Sequence, residues 1–391
     1  MKIKRLVLSY LLVALFIILN GCGQKMPLPG VQSSPESFGA NDTSYIHLNP
    51  IWDATTIGYN PAKSMTPVDI AIGDDGYLFV ADSANNCILT ISQSGQLVTH
   101  QNLGEIKPIN GPIALDIDSK LNLLTVNGTN TIYVWNQYLN NIGVDSLLID
   151  IKYESKLIFS ADPNKIDSIL AIHPFYVDAN EQSSFQGVAF GPAKENTLFV
   201  TDKANNRILK LNLTLSGIVK LKNGQLHPTI RGVYEKDIAT YGSGAGTVDN
   251  PRGITADDDG NLYFTQLGGN FFVQKLKKQG DKYISGYTLY DDPIMDLEQF
   301  IAPHDVAIGK NDAIFVLDTG DGKVYKFLNR GNKAGDKASL GNKGLAQAIF
   351  NRPFGIAISD EEMVYIADTG NHRIERYQFS VSEGDLPVEQ P

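Results

Sequence analysis

Cysteine is all but missing, with Cys22 and Cys87 the only two in 391 residues. That excludes a disulfide-built scaffold and any four-thiolate zinc site. Charged residues are sparse, at 19% against a usual ~25%. With 42% hydrophobic residues, this excludes a wholly disordered chain and a coiled coil. Basic residues number 33 against 43 acidic ones, a net charge of -10, which argues against nucleic acid as a partner, since a polyanion needs a basic surface. Long apolar runs are missing too. The one at Leu6–Leu19 is shorter than the ~20 residues a spanning helix needs. What the chain does have is 36 Gly, 17 Tyr and 17 Phe, a composition suited to strands and tight turns.

The N-terminus reads as an export signal. Lys2, Lys4 and Arg5 form a basic start before the apolar run, and Leu19-Asn20-Gly21-Cys22 closes it. This segment resembles the bacterial lipobox, with Asn20 where a small or apolar residue is usual; the plainer alternative is a secretory signal with an incidental Cys22. The resemblance implies a signal peptide over 1–21, removed to leave a lipid on Cys22. Residues 22–44, rich in Gly, Pro, Ser and Gln, then form a flexible tether. The expected location is the bacterial cell envelope, anchored to a membrane through that lipid. Gly23 lacks the Asp of inner-membrane retention, which favours the outer membrane. Cys87 reads as an ordinary strand residue.

The rest is one motif written six times. Copies begin near Pro67, Pro112, Gln186, Pro251, Pro303 and Pro353, spaced about 45 to 52 residues apart except for two wider gaps. Each has an alternating apolar run, an Asp/Gly turn, an aromatic-rich second run and a third run opening at Ile88, Ile132, Ile208, Phe272, Val324 or Ile374. Such periodicity predicts successive antiparallel hairpins. Three strands plus a variable fourth match one propeller blade. The wide gaps, Asn136–Ser184 and Asn212–Asn250, read as outer strands with long loops; Ser146–Ile151, Lys156–Ser160 and Ser168–Ile172 are their apolar runs. The last copy leaves little chain for a fourth strand, which Tyr45–Asn60 can supply. The expectation is a single all-β, six-bladed β-propeller over 45–380, its ring closed by the N- and C-terminal strands, with a tail at 381–391.

Pro353-x-Gly355-Ile356-Ala357, Tyr365-x-Ala367-Asp368 and Asn371-His372-Arg373-Ile374 resemble the NHL repeat. Asn205-Asn206-Arg207-Ile208 and the lead-in Tyr241–Gly246 do so as well. The resemblance implies a six-bladed propeller without implying one function. Asp82, Asp202, Asp318 and Asp368, with Asn127 and Gln266 in the other copies, recur at the end of the second run. Recurrence in blade after blade marks turn capping rather than a metal ring. Asp257-Asp258-Asp259-Gly260 is likewise a hairpin turn, and Gly242-x-Gly244-x-Gly246 lacks the strand–loop–helix setting of a nucleotide site.

In NHL-like propellers the residue after the opening Pro lies at the channel mouth. Here that register reads Val68, Ile113, Gly187, Arg252, His304 and Phe354. Pro303-His304-Asp305 resembles a zinc-ligand segment of peptidylglycine amidating lyases, which use three His; only His304 matches, so that zinc site is rejected. Asn261–Gln266 with Gly268-Gly269-Asn270 is similar to virginiamycin B lyase repeats. That likeness implies His304 as a base with Asp69, Asp116 or Asp305 nearby, and a divalent metal as cofactor. No second acid or base completes the set, so the reading leans away from an enzyme. The expected function is a binding module for a protein, peptide or glycan, with Arg252, His304, Asp305 and Phe354 on the recognition face. The alternative is a metal-dependent lyase or lactone hydrolase using His304. Lys326, Arg330, Lys333, Lys337 and Lys343 read as a solvated basic loop.

Overall fold

The computed structural model describes residues 44–99, 103–107, 109–152, 156–286, 293–295, 297, 299–309, 312–328, 332–333 and 350–380. The signal segment, Cys22, the tether, His100, most of the basic loop and the tail lie outside them.

Strands β1 (Ser44–His47) and β2 (Trp52–Asp53) lead into a first sheet of β3 (Pro67–Ile72), β4 (Leu78–Asp82), β5 (Cys87–Ile91) and β6 (Glu105–Ile106). The second sheet opens with β7 (Ala114–Ile117), β8 (Asn122–Val126) and β9 (Thr131–Asn136). Helix α1 (Gln137–Ile142), strands β10 (Val144–Lys152) and β11 (Lys156–Ser160), and helix α2 (Pro163–Leu170) intervene before β12 (His173–Val177) completes it. The third sheet holds β13 (Phe185–Phe190), β14 (Thr197–Asp202) and the long hairpin β15 (Arg207–Leu221) and β16 (Leu226–Ala239), with β10 and β11 added alongside β15. The fourth comprises β17 (Pro251–Ala256), β18 (Leu262–Gln266), β19 (Val273–Gln279) and β20 (Lys282–Ser285). The fifth comprises β21 (Pro303–Ile308), β22 (Ile314–Asp318), β23 (Lys323–Leu328) and β24 (Asn332–Lys333). The sixth has β25 (Gly355–Ile358), β26 (Met363–Asp368) and β27 (Arg373–Ser380), and both β1 and β2 pair with β27.

Burial follows from stacking these sheets. Every position of β4, β8, β14, β18 and β22 is buried, the pattern of a strand covered on both faces. Six apolar clusters fill the spaces between consecutive sheets. One, around Phe79, Leu115 and Trp135, joins the first sheet to the second. Another, around Trp52, Ile70, Tyr365 and Ile374, joins the sixth sheet back to the first. Lys326 adds a clamp from β23: its ammonium lies 5.3, 5.3 and 4.4 Å from the ring centres of Tyr45, Phe315 and Phe379 and donates to the Tyr45 hydroxyl at 2.9 Å. Cation–π contact of this kind fastens β1 to the fifth sheet.

The recurrent acids cap turns. Asp318 accepts from the backbone of Ile301, Ala302 and Gly320 at 2.6, 2.9 and 2.7 Å. Asp202 accepts from Ser184 N, Asn205 Nδ2 and Arg207 Nε at 2.9, 2.7 and 3.0 Å. Gln266 does the same job, with its Oε1 accepting from Asp249 N at 2.9 Å.

The first insertion departs from the sequence expectation. Ser168–Leu170, read as part of an extended run, belongs to α2. Asp162 accepts from Asn164 N as N-cap and Pro163 follows at the helix start, a signal stronger than the short apolar run. Both helices pack with the distal half of the β15–β16 hairpin around Leu139, Val144, Val219 and Leu221. Among the described residues no helix is long and apolar enough to cross a membrane.

Candidate ligand-binding site at the channel mouth

Four of the six first strands share a local irregularity. Pairing with the second strand slips between Pro67 and Asp69, Phe185 and Gly187, Pro251 and Ile254, and Pro303 and Asp305. Such a bulge takes the residue after the opening position out of the ladder and re-aims its side chain. Proline suits the start because it has no N–H to donate. Phe185 pairs with Asp202 as Pro67 pairs with Asp82. Gln186, not Gly187, therefore occupies the variable position of the third sheet. The sequence hides this because Phe185 stands where the other copies have Pro.

Gln186, Arg252, His304 and Phe354 meet as two pairs in contact. Arg252 Nη1 donates to Gln186 Oε1 at 3.1 Å. The Gln186 amide is itself held by Ser184 Oγ, to which its Nε2 donates at 3.1 Å. His304 stacks on Phe354 at 4.4 Å between ring centres, and its Nδ1 donates to Phe354 O at 2.8 Å. That donation leaves Nε2 as the acceptor of the neutral ring. Hydroxyls from the neighbouring sheet pin the backbone beneath: Thr201 Oγ1 donates to Arg252 O at 2.6 Å and Thr265 Oγ1 to His304 O at 2.8 Å.

Electrostatics at the mouth are one-sided. Burial, and then the charge of Arg252, hold the His304 imidazole down to about 4. Burial lowers Arg252 itself, and Arg252 in turn lowers Lys203. Lys203 follows Asp202 at the end of β14, where other copies carry Ser83, Thr319 or Thr369. Sequence reading missed it, although that substitution was the signal.

The structure places Asp305 elsewhere. It lines a cavity of about 180 Å³ bounded by the first strands of all six sheets, together with Asp69 and Asp116. Each carboxylate bridges two adjacent strands. Asp69 accepts from Ile70 N and Leu115 N at 2.8 and 2.6 Å. Asp116 accepts from Ile117 N and Phe190 N at 2.8 and 2.6 Å. Asp305 accepts from Val306 N and Ile356 N at 2.8 and 2.9 Å. Burial nevertheless pushes Asp116 and Asp305 up to about 7 and Asp69 well above the usual carboxylate range.

This donor set does not fit a catalytic metal. Among the described residues that follow an opening position His304 is the one imidazole, and all three cavity carboxylates are occupied by backbone N–H groups. Among the described residues no group of three or more His, Cys, Asp or Glu could hold an ion. Nor does any of the three acids bond to His304 as the partner a general base needs. An imidazole held near 4 is also a weak proton acceptor at neutral pH, where a base is best matched to the working pH.

No family model matches the chain. Over 152 residues it is 30% identical to a Caenorhabditis elegans protein described as a probable peptidyl-alpha-hydroxyglycine alpha-amidating lyase, covering 38% of this chain and 43% of that protein. Over 147 residues it is 28% identical to human NHL repeat-containing protein 3, covering 35% of this chain and 42% of that one. The chain thus spans less than half the length of these relatives. A solved Bacteroides thetaiotaomicron protein of unknown function superposes with a TM-score of 0.53 at 15% identity, covering 86% of this chain and 76% of that chain, a likeness of fold alone. Repeat pattern, relatives and fold agree: the chain is an all-β protein of propeller-type sheets whose repeats are similar to NHL repeats.

Proposed function

We propose that this chain is a lipid-anchored, six-bladed propeller of the bacterial cell envelope that binds a protein, peptide or glycan at its channel mouth. The six sheets, the cluster joining the sixth to the first, and the pairing of β1 with β27 support a closed ring. One observation carries the binding reading. The positions after each opening residue, where the repeat is least repetitive, bring Gln186, Arg252, His304 and Phe354 together without a catalytic partner. Fixed backbone supports irregular side chains there, the arrangement of a recognition surface.

Capture of envelope components by the full-length protein should fall at least about tenfold in Arg252→Ala, His304→Ala and Phe354→Ala, since each removes a central contact. Unchanged capture in all three would remove the mouth from consideration. Metal analysis separates this reading from the lyase or lactonase alternative: one tightly bound ion per chain, lost in His304→Ala, would favour the enzyme. Cys22→Ser should release the protein from the membrane fraction and abolish processing; equal membrane association would contradict the lipid anchor.

A further inference from the structure

We propose that the channel mouth holds an oxoanion site, in which Arg252 and Lys203 bind the carboxylate or phosphate group of a ligand against the His304–Phe354 stack. The proposal rests on the channel-mouth reading above and adds the chemical class of what is recognised.

Arg252 carries a charge that no acid among the described residues matches. Arg252 is half-buried, yet its one side-chain partner is the neutral Gln186 amide at 3.1 Å. Its Nε is enclosed and has no hydrogen-bond partner. Two other half-buried arginines meet acids, while a third, Arg376, lies 4.1 Å from the Trp52 ring centre and donates to Pro50 O at 2.8 Å instead. Arg207 pairs with Asp178, Asp202 and Asp237 at 2.6, 3.0 and 3.3 Å. Arg373 pairs with Asp368 and Glu375 at 3.0 and 2.6 Å. Removing a guanidinium from water without a counter-charge is costly, and among the described residues none is paired with Arg252.

Lys203 sharpens the point. It lies two residues after Thr201, whose hydroxyl donates to Arg252 O at 2.6 Å, and the charge of Arg252 opposes its own. A second cation beside an unpaired first one raises the electrostatic cost of the empty site and the gain on binding an anion. Asp305, beside His304 in the sequence, has both oxygens on backbone N–H groups in the cavity wall. His304 is neutral and brings no negative charge. Gln186 holds one nitrogen of the guanidinium fork in place, which leaves Nη2 and the second hydrogen of Nη1 for a planar carboxylate or a phosphate. All this occurs in a protein of net charge -10, where a basic pocket is against the average.

The test uses the full-length protein in detergent with two probes, sodium acetate and sodium phosphate, titrated calorimetrically at ionic strength matched with sodium chloride. At least one probe should bind. Arg252→Gln, which keeps a polar side chain of similar reach, should weaken it about tenfold or more, as expected for a lost charge-assisted contact. Lys203→Met should weaken it less, and the exposed Lys194→Met not at all. Preference for acetate or phosphate identifies the ligand group. Binding of neither probe, or equal binding by wild type, Arg252→Gln and Lys203→Met, would overturn the proposal. If Arg252→Gln does not fold, Lys203→Met carries the test. Should His304→Ala and Phe354→Ala abolish capture of envelope components while Arg252→Gln leaves it intact, the anion site falls and the mouth reading stands.

Discussion

Gly355→Ala is expected to lower the unfolding free energy by more than ~3 kcal/mol, or to prevent folding, because the overlap falls on backbone. A Cβ at that position would lie 2.5 Å from Asp69 Cα, 2.7 Å from Asp69 Oδ1 and 2.8 Å from Val68 O. Asp69 cannot swing aside, since its two oxygens hold Ile70 N and Leu115 N. The sixth and first sheets would have to part where their first strands approach. Gly253 has the same relation to Asp305, with its Cβ site 2.8 Å from Asp305 Cα. At these two seams a glycine is required because the neighbouring strand's Asp packs against its Cα. The control is Gly244→Ala, which meets nothing within 4 Å and should be nearly neutral. Chemical denaturation of the two variants decides the matter; equal stability would mean that the strands are further apart than described.

The second large effect concerns pH. Asp116 and Asp305 are pushed from 3.8 up to about 7, with burial the leading cause in both. The folded state therefore keeps protons that the unfolded chain has lost, so stability falls as pH rises from about 4 to about 7. For one such group the loss is on the order of 4 kcal/mol, by the relation between pKa shift and free energy. Other acids act in the opposite direction. Burial works against the charge of Asp202, but hydrogen bonds from Asn205, Ser184 and Arg207 outweigh it and lower its pKa. The clean observable is therefore a difference. Asp116→Asn gives up a carboxylate oxygen facing a backbone N–H, so it should be less stable than wild type at pH 4. That gap should narrow toward pH 8 as wild type loses the benefit of its bound proton. A gap that stays constant or widens would mean that Asp116 is ionised throughout.

Much of this fold was legible in the residues because each strand and turn repeats. Six openings, the turn-capping acids and the N-terminal partner for the last sheet all follow from spacing and periodicity. Elements that break the repeat were harder to read. Ser168–Leu170 looked extended in isolation, and only Asp162-Pro163 marked the helix. Gln186 was hidden by a one-residue shift in register, since Phe185 replaces Pro as the pairing partner of the capping acid. Asp69, Asp116 and Asp305 looked like companions for His304. Their actual partners are amides on the next sheet, contacts between residues about 46 to 74 positions apart that no local pattern reveals.

The acidic excess also acquires a place. Turns after the first strands carry Asp74-Asp75, Asp257-Asp258-Asp259 and Asp360-Glu361-Glu362, at the opposite end of those strands from Arg252 and His304. They line clefts of about 580 and 360 Å³. Acids thus gather at the far ends of the first strands, while Arg252, with Lys203 near it, stands at the mouth. An anionic ligand would be steered toward one end and repelled from the other.

The central claim is that the mouth positions contact a ligand. A photo-crosslinking residue, p-benzoylphenylalanine, placed at Ile113 tests it most directly, because Ile113 shares that register without contributing a charge. In intact cells the substituted protein should give a discrete cross-linked product, lost when Arg252→Ala or Phe354→Ala is added. The same probe at the exposed Tyr241 should not give it. Identical products from both positions, or none from Ile113, would contradict binding at the mouth.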